Sequence, residues 1–519
     1  MSNTKLRQFH EAQWDEPLIF QQSVPGSRSM LIPDVSGQAA PVTGELSGLL
    51  PQRLRRREKP ALPELAQPQV LRHYLRLSQE SIGQDINIDI GLGTCTMKYS
   101  PKINEQFVRS PKFAELHPYQ DDSTVQGMLK ILYDFEQIMK EISGLDAVSF
   151  QPGGGGQGIF ANAAVLKKYF ADRGEGEQRT QIITTILSHP LNSAAPATKG
   201  FEVISLYPDE NGYPSLENLK AVVSEKTAGI FITNPEDTGV FNPLIRQFVD
   251  VVHEAGGLCV CDMADYNGLF GLVRAKELGA DMCHFNLHKA FSSPHACMGP
   301  GCAAQCVSAG LEPYLPRPRV RFDGQRYYTD YDGPQSIGKI RQFQGTLSAV
   351  LRAYAWVMSL GREGLETVGE TAILNNNYMM KRLLTEVKGI SMSWAEEAPH
   401  RLEQVRYSFE QLLRDTGVSA EDLNRHMVDY GFQRFFPSHH PLIVPEPYTP
   451  EPTESYSKAD IDEYVDTLKH VCQEAYTDPE KVLNAPYNAP ISKLESDHIQ
   501  DYTQLAVTWR AYKRQHGDA

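Results

Sequence analysis

From about Ile86 to Asn286 the chain repeats one pattern, a helical stretch followed by a short run rich in β-branched and other apolar residues. These runs are residues 147–150, 181–186, 202–206, 229–233, 258–261 and 282–286. Strands separated by helical segments predict a mostly parallel sheet with helices on both faces. In such α/β sheets ligands gather beyond the carboxyl ends of the strands. The residue that follows each strand is therefore the place to look for chemistry.

After residues 147–150 come Gln151, Pro152 and the run GGGGQG, Gly153 to Gly158, which opens a helical stretch over 159–170. Successive glycines let backbone amides close on an anion, and a helix N-terminus adds its positive dipole. With neither a GxGxxG dinucleotide motif nor a Walker lysine, a single phosphate group fits better, held by Gly154, Gly155, Gly156, Gln157 and Gly158. A flexible turn is the alternative reading. The next strand ends at Ser188-His189-Pro190-Leu191-Asn192, where His189 is either a ring that lies over a flat heterocycle or an ordinary structural histidine. Residues 229–233 lead into Asn234-Pro235, which aims an amide at a ring oxygen or is a plain turn.

Residues 258–261 end in Asp262, a carboxylate that is costly to bury unless paired, and a protonated pyridine nitrogen is such a partner. The last strand opens HFNLHKAFSSPH, residues 284–295, in which Lys289 follows His288. A lysine there suits condensation with a carbonyl. Phosphate loop, stacking histidine, pyridine aspartate and Schiff-base lysine arrive in order, each at a strand end. Together they predict a pyridoxal phosphate site, with Asp262 keeping the ring cationic as an electron sink.

Net charge is −14, with 50 basic against 64 acidic residues, which argues against nucleic acid as a partner. No run of eighteen apolar residues occurs and residues 1–16 are polar, so neither a membrane span nor a secretory signal is expected and the chain is predicted to be cytoplasmic. The eight cysteines show no CxxC and no regular framework, which fits a reduced interior without a metal site. Residues 24–70, rich in proline and glycine with a basic run at 53–57, read as an extended arm, and a helix is expected near 68–84. The predicted division is an N-terminal arm (1–85), a large cofactor-binding α/β domain (86–345) and a smaller C-terminal α+β domain with its tail (346–519). A helical stretch at 347–360 joins the last two, and further helices are expected at 379–387, 410–414 and 460–475.

Several longer stretches carry a resemblance. They are LIFQQSVPGSRS near the start, VLRHYLRLSQESIGQDINIDIGLGTCTMKYSPKINE at 70–105, LHPYQDDSTVQG, FNLHKAFSSPH, YDGPQSIGKI, DYGF, and PLIVPEPYTPEPTESYSK at 441–458. With these the chain resembles the C-terminal half, or second subunit, of the glycine cleavage system P-protein, the decarboxylating glycine dehydrogenase. The resemblance implies the fold type I architecture of pyridoxal phosphate-dependent transferases. It also implies decarboxylation of glycine, transfer of the aminomethyl group to the lipoyl arm of an H-protein, and an oligomer formed with a homologous subunit 1. On this view Lys289 holds the cofactor, Asp262 its ring nitrogen and Asn234 its ring oxygen, while His189 stacks on the ring. Gly154 to Gly158, with Ser292 or Ser293, bind the phosphate. His288 and His295 are candidate proton carriers, and Cys95-Thr96 approaches the site or the lipoyl entrance.

The departures fall together. The family's HGTNPASA is here His189-Pro190-Leu191-Asn192-Ser193-Ala194-Ala195-Pro196, and its DGAN-type strand end is Asp262-Met263-Ala264-Asp265, which adds a thioether and a carboxylate. A TNPNT-like turn becomes Thr233-Asn234-Pro235-Glu236-Asp237, a glycine run becomes Ala296-Cys297-Met298-Gly299-Pro300-Gly301, and a His-Glu pair becomes Leu402-Glu403. The cofactor core is kept while the substrate-side wall is altered, with Met263, Asp265 and Met298 expected to reshape the pocket. Three readings follow: a glycine-decarboxylating subunit, a divergent enzyme acting on another amino acid or acceptor, and a non-catalytic assembly subunit. Packing requires neither Lys289 nor Asp262, so their joint presence argues against the last.

Overall fold

The computed structural model describes residues 6–28, 48–58, 60–82, 86–293 and 301–493, with shorter stretches at 37, 41, 501, 505–506 and 508–517. The expectations for His295, Cys297 and Met298 lie outside the described residues.

The repeating pattern folds as a seven-stranded sheet. Its strands are β1 (Ala147–Ser149), β2 (Gln181–Thr185), β3 (Glu202–Leu206), β4 (Thr227–Thr233), β5 (Leu258–Met263), β6 (Met282–Asn286) and β7 (Ala303–Val307), in the order β1-β7-β6-β5-β4-β2-β3. All neighbours are parallel except β7, which runs antiparallel to both β1 and β6. Both faces are covered, which explains why the strands read as continuous apolar runs. Successive residues alternate between two cores: Ile230, Ile232, Cys259, Cys261 and Phe285 enter one, and Phe231, Val260 and Met282 the other.

On the first face lies the helix Gln126–Ser143, which buries Leu129, Leu132, Phe135 and Met139 at helical spacing. Gly144 ends it in the left-handed conformation (φ 73°), and a Cβ there would sit 2.8 Å from the Lys276 Cβ. Residues 273–278 make turns, because the Lys276 amide donates to Ser143 O rather than to its own preceding turn. The stretches predicted at 347–360 and 379–387 belong to one long helix, Leu347–Glu386, broken by Gly361 at φ 64°. Beyond it stands a three-stranded antiparallel sheet (Ser391–Met392, Tyr407–Ser408, Pro447–Tyr448). Around that sheet are the helices Glu410–Thr416, Ala420–Met427 and Lys458–Thr477. The last begins with a reciprocal cap between Ser457 and Asp460.

Both of these sheets lie within one compact unit, formed chiefly by Gln84–Val428 and Phe432–Leu483. A second unit comprises Gln8–Gly83, Asp429–Gly431 and Asn484–Ala519. Its helix Gln67–Gln79 buries His73, which meets Glu16 at 2.9 Å, and Arg76 reaches the same carboxylate at 3.0 Å. Among the described residues no helix is long and apolar enough to cross a membrane.

Candidate active site

The glycine run opens the helix Gly155–Asp172, with Gly154 at φ 155° preceding it. Side chains from β6 and its neighbours press against this loop. A Cβ on Gly155 would lie 2.9 Å from Asn286 Nδ2, on Gly156 2.9 Å from a Leu191 methyl, and on Gly158 2.9 Å from the His284 ring. Space, as well as anion approach, therefore demands glycine. Gln157 accepts from the Gly153 amide at 2.7 Å, tying the loop to the first helical turn. The amides of that turn have no intrahelical acceptor and carry the positive end of the dipole.

Asp262 ends β5 and is buried, with its carboxylate held on three sides. Asn192 Nδ2 donates to Oδ2 at 2.9 Å, the Ala264 amide donates to Oδ1 at 3.0 Å, and His284 Nε2 lies 3.1 Å from Oδ1. Burial opposes ionisation, but His284, His189 and the Ala264 amide outweigh it and hold Asp262 well below the usual carboxylate range. His189 is half-buried at the start of the next segment, where its Nδ1 accepts from the Leu191 amide at 3.1 Å. Its ring meets His439 edge-on with centroids 4.5 Å apart, and His439 Nδ1 lies 2.7 Å from Asp237. Burial pushes His189 below the ordinary histidine range. Asn234 accepts from the Asn242 amide at 2.8 Å and donates to Asn242 O at 3.2 Å. One of its amide hydrogens remains for a ligand.

Lys289 follows β6 and is largely buried. Its Nζ lies 3.0 Å from Asp265 Oδ1 and donates to Thr94 O. Desolvation would lower its pKa, but Asp265, Cys95 and Glu451 raise it well above the ordinary lysine value. His288 contacts the Cys302 backbone through Nδ1, and burial pushes it down to about 4, so its imidazole is neutral at physiological pH. Ser292 and Ser293 are fully buried and donate their hydroxyls to Tyr99 O and Ala349 O. Each hydroxyl hydrogen is thus engaged by a backbone carbonyl. Lys98 stabilises the same segment, donating to Ala290 O at 2.8 Å, pairing with Glu454 at 3.0 Å and lying 4.7 Å from the Trp356 ring centroid.

The arrangement brings the carboxyl ends of β2, β4, β5 and β6 to one side of the sheet with the glycine loop. Asn192 Oδ1, Asn286 Oδ1 and His284 Nδ1 are buried there without a hydrogen-bond partner among the described residues. Unmet polar atoms beside an ionised aspartate and an anion-ready loop fit a cofactor with a phosphate and a basic ring nitrogen. A separate hollow of about 270 Å³, lined by Phe113, Leu116, Met128 and Phe343 among others, contains none of these residues.

A family model described as Aminotransferase class-V matches residues 153–295, and one described as Glycine dehydrogenase, C-terminal domain, matches residues 368–489. The probable glycine dehydrogenase (decarboxylating) subunit 2 of Pyrococcus furiosus is 41% identical over 508 residues, covering 97% of this chain and 98% of that protein. The chain belongs to the glycine dehydrogenase (decarboxylating) subunit 2 family. A family member from Caldanaerobacter subterraneus is 38% identical over 92% of this chain and 96% of its own length. A solved glycine decarboxylase (P-protein) of the glycine cleavage system superposes with a TM-score of 0.69 at 18% identity, over 85% of this chain and 100% of that one. The large sheet has the fold type I architecture expected from the sequence.

Four site residues escaped the sequence reading. His284 sits inside an apolar strand and reads there as core. Glu451, His439 and Asp237 reach the site only through tertiary folding. Asp237 alone had left a trace, as a departure from the family's turn.

Proposed function

We propose that this chain decarboxylates glycine with pyridoxal 5'-phosphate and passes the aminomethyl group to the lipoyl arm of an H-protein. It works in the cytoplasm with a homologous subunit 1, as part of an oligomer. The observation that carries this reading is kinship to subunit 2 relatives over nearly the whole chain, in a chain whose strand ends present Lys289 and Asp262.

The cofactor supplies an aldehyde for an amine to capture and a cationic ring that accepts the electrons left when carbon dioxide departs. Lys289 is the amine that holds it. Asp262, kept ionised by its neighbours, retains a proton on the ring nitrogen. His189 would stack on the ring, held in place by the Leu191 amide and the edge of His439. The amides of Gly154, Gly155, Gly156 and Gln157 would hold the phosphate with the help of the helix dipole, while Gly158, whose own amide donates to Gly154 O at 2.9 Å, completes the turn that presents them. Asn234 would give its remaining amide hydrogen to the ring oxygen, and neutral His288 would serve as a proton acceptor. The large domain, 86–345, binds the cofactor. The smaller one, 346–519, adds Glu403, His439 and Glu451, and the arm, 1–85, serves assembly.

Exchange of labelled bicarbonate into the carboxylate of glycine tests this reading, with subunit 1 and lipoylated H-protein present. Exchange that needs Lys289 supports it. No exchange with any combination of partners, alongside a cofactor absorbance change with another amino acid, overturns it in favour of a divergent enzyme.

A further inference from the structure

Resting on the reading of Lys289 just given, we propose that Asp265, Thr96 and Glu451 form a proton relay. It takes the ammonium proton of Lys289 as that amine turns into the nucleophile that captures the cofactor. The atoms form one chain. Lys289 Nζ lies 3.0 Å from Asp265 Oδ1, the same oxygen lies 2.9 Å from Thr96 Oγ1, and Thr96 Oγ1 lies 2.8 Å from Glu451 Oε1. The Thr96 amide fixes the far end, donating to Glu451 Oε2 at 3.1 Å.

Counting hydrogens decides what this chain holds. A threonine hydroxyl carries one hydrogen, yet Thr96 Oγ1 stands at hydrogen-bond distance from two carboxylate oxygens. One contact is bridged by the Thr96 hydrogen. The other needs a hydrogen on a carboxyl, because two bare oxygens that close repel. The geometry is that of a network holding one proton, and the oxygen at its head is the one that faces Lys289. In the step, an Nζ–H bond breaks and its proton goes to Asp265 Oδ1. The proton between Asp265 and Thr96 moves onto Oγ1 while the hydroxyl hydrogen moves onto Glu451 Oε1. Lys289 is left neutral with its lone pair, one proton has moved to Glu451, and no electrons have changed hands.

The loop that carries Thr96 is held for this arrangement. Thr94 and Thr96 both adopt left-handed backbone (φ 59° and 46°), which β-branched residues rarely do. That conformation puts the Thr94 carbonyl on Lys289 Nζ and the Thr96 hydroxyl between the carboxylates. Gln404 braces it by accepting from the Thr94 amide at 3.1 Å. Other charged or titratable groups face the network. Cys95, His189 and His288 face Lys289, while Glu403, Lys98 and Asp237 face the carboxylates. Burial raises Asp265 and Glu451 and lifts Glu403 to about 8.

The test is rapid-mixing capture of pyridoxal phosphate by the full chain freed of cofactor, followed by absorbance across pH. Competitive acetylation of Lys289, read by mass spectrometry, gives the amine's own titration. Thr96→Val should slow capture roughly ten- to a hundredfold below neutral pH without changing equilibrium affinity, and Thr96→Ser should restore the rate. Glu451→Gln should slow it likewise, which covers the case in which valine unfolds the loop. Asp265→Asn, whose amide passes no proton on, should slow capture likewise, while Thr96→Val should leave the Lys289 acetylation profile where it is. Capture at the parent rate by both Thr96→Val and Glu451→Gln, or by Asp265→Asn, overturns the relay, and so does an acetylation profile in Thr96→Val displaced enough to account for its slower capture. If Lys289→Ala captures the cofactor covalently as the parent does, the reading of the lysine itself fails. Failure of Lys289→Ala together with parent-rate capture by the relay variants sinks the relay alone.

Discussion

Asp262→Asn is the substitution whose outcome the structure specifies most closely, because every contact of the carboxylate is known. The replacement keeps shape and loses charge. One of its two terminal atoms becomes an amide nitrogen that meets a donor, either Asn192 Nδ2 at 2.9 Å or the Ala264 amide at 3.0 Å. The backbone amide cannot move, so the new oxygen faces Ala264 and the new nitrogen faces Asn192. Asn192 can answer by turning its own amide, since its Oδ1 has no partner among the described residues. The fold therefore loses little, within about 1 kcal/mol. The cofactor loses a charge-assisted hydrogen bond to its ring nitrogen, worth about 1.5–3 kcal/mol. That corresponds to an affinity weaker by roughly ten- to a hundredfold. Titrating the cofactor-free variant with pyridoxal phosphate by absorbance measures this, with thermal melting of the same sample as the control for folding. Affinity within about threefold of the parent, with an unchanged melt, would refute the pairing of Asp262 with the ring nitrogen.

Borohydride should fix the cofactor onto the peptide that contains Lys289, and Lys289→Ala should leave no fixed adduct when the digest is weighed by mass spectrometry. Glu236 is fully buried, and burial lifts its carboxyl to about 8 while Thr185 donates to it at 2.9 Å. Its folded pKa lies above its unfolded one, so the stability it contributes is present at low pH and lost as pH rises through 8. The slope is about 1.4 kcal/mol per pH unit between the two values. Melts recorded from pH 5 to 9 should fall with this slope up to about pH 8 and level off above it in the parent, and lose this fall in Glu236→Gln, and parallel curves for the two would contradict the assignment. Lys98→Met should cost about 1.5–3 kcal/mol, because half-buried Glu454 would lose its partner and Ala290 O its donor. A melt within a degree of the parent would show that Lys98 is no anchor.

Much of this could be read from the chain because α/β sheets place function where sequence is easiest to interpret. Asp262 and Lys289 each end an apolar run, so their positions follow from where a strand stops. The glycine run was equally plain, although half of its reason was hidden: Asn286 and His284 crowd it from a neighbouring strand. β7 gave no separate signal, since its short run, Ala303–Val307, follows directly on the stretch around Lys289. The family resemblance implied Ser292 or Ser293 as a phosphate ligand. Only the fold reveals that Tyr99 and Ala349 already take their hydrogens. Glu451 and Thr96 lie far apart in sequence and meet only through tertiary contact, so no local pattern could join them.

The altered wall poses the last question, and the structure changes its terms from size to charge. Met263 was expected to narrow the pocket because it stands where the family keeps glycine. Its side chain instead points through the sheet, with 1% exposure, into the core shared by Cys261, Tyr266 and Phe285. Alternation along β5 requires this, since Asp262 before it faces the site. Met263→Gly should therefore leave the choice of amino acid unchanged and cost stability. Loss of a buried methionine side chain is worth about 2–5 kcal/mol before the added backbone freedom of glycine. Relative rates for glycine and for larger amino acids, measured together with a melt, separate the two effects. A variant that melts like the parent but accepts a larger substrate would return Met263 to the pocket wall. If it melts early with its preference intact, the departure from the family that reaches Lys289 is the carboxylate at Asp265. What it alters is then the protonation of Lys289, and the space left for glycine stays the same.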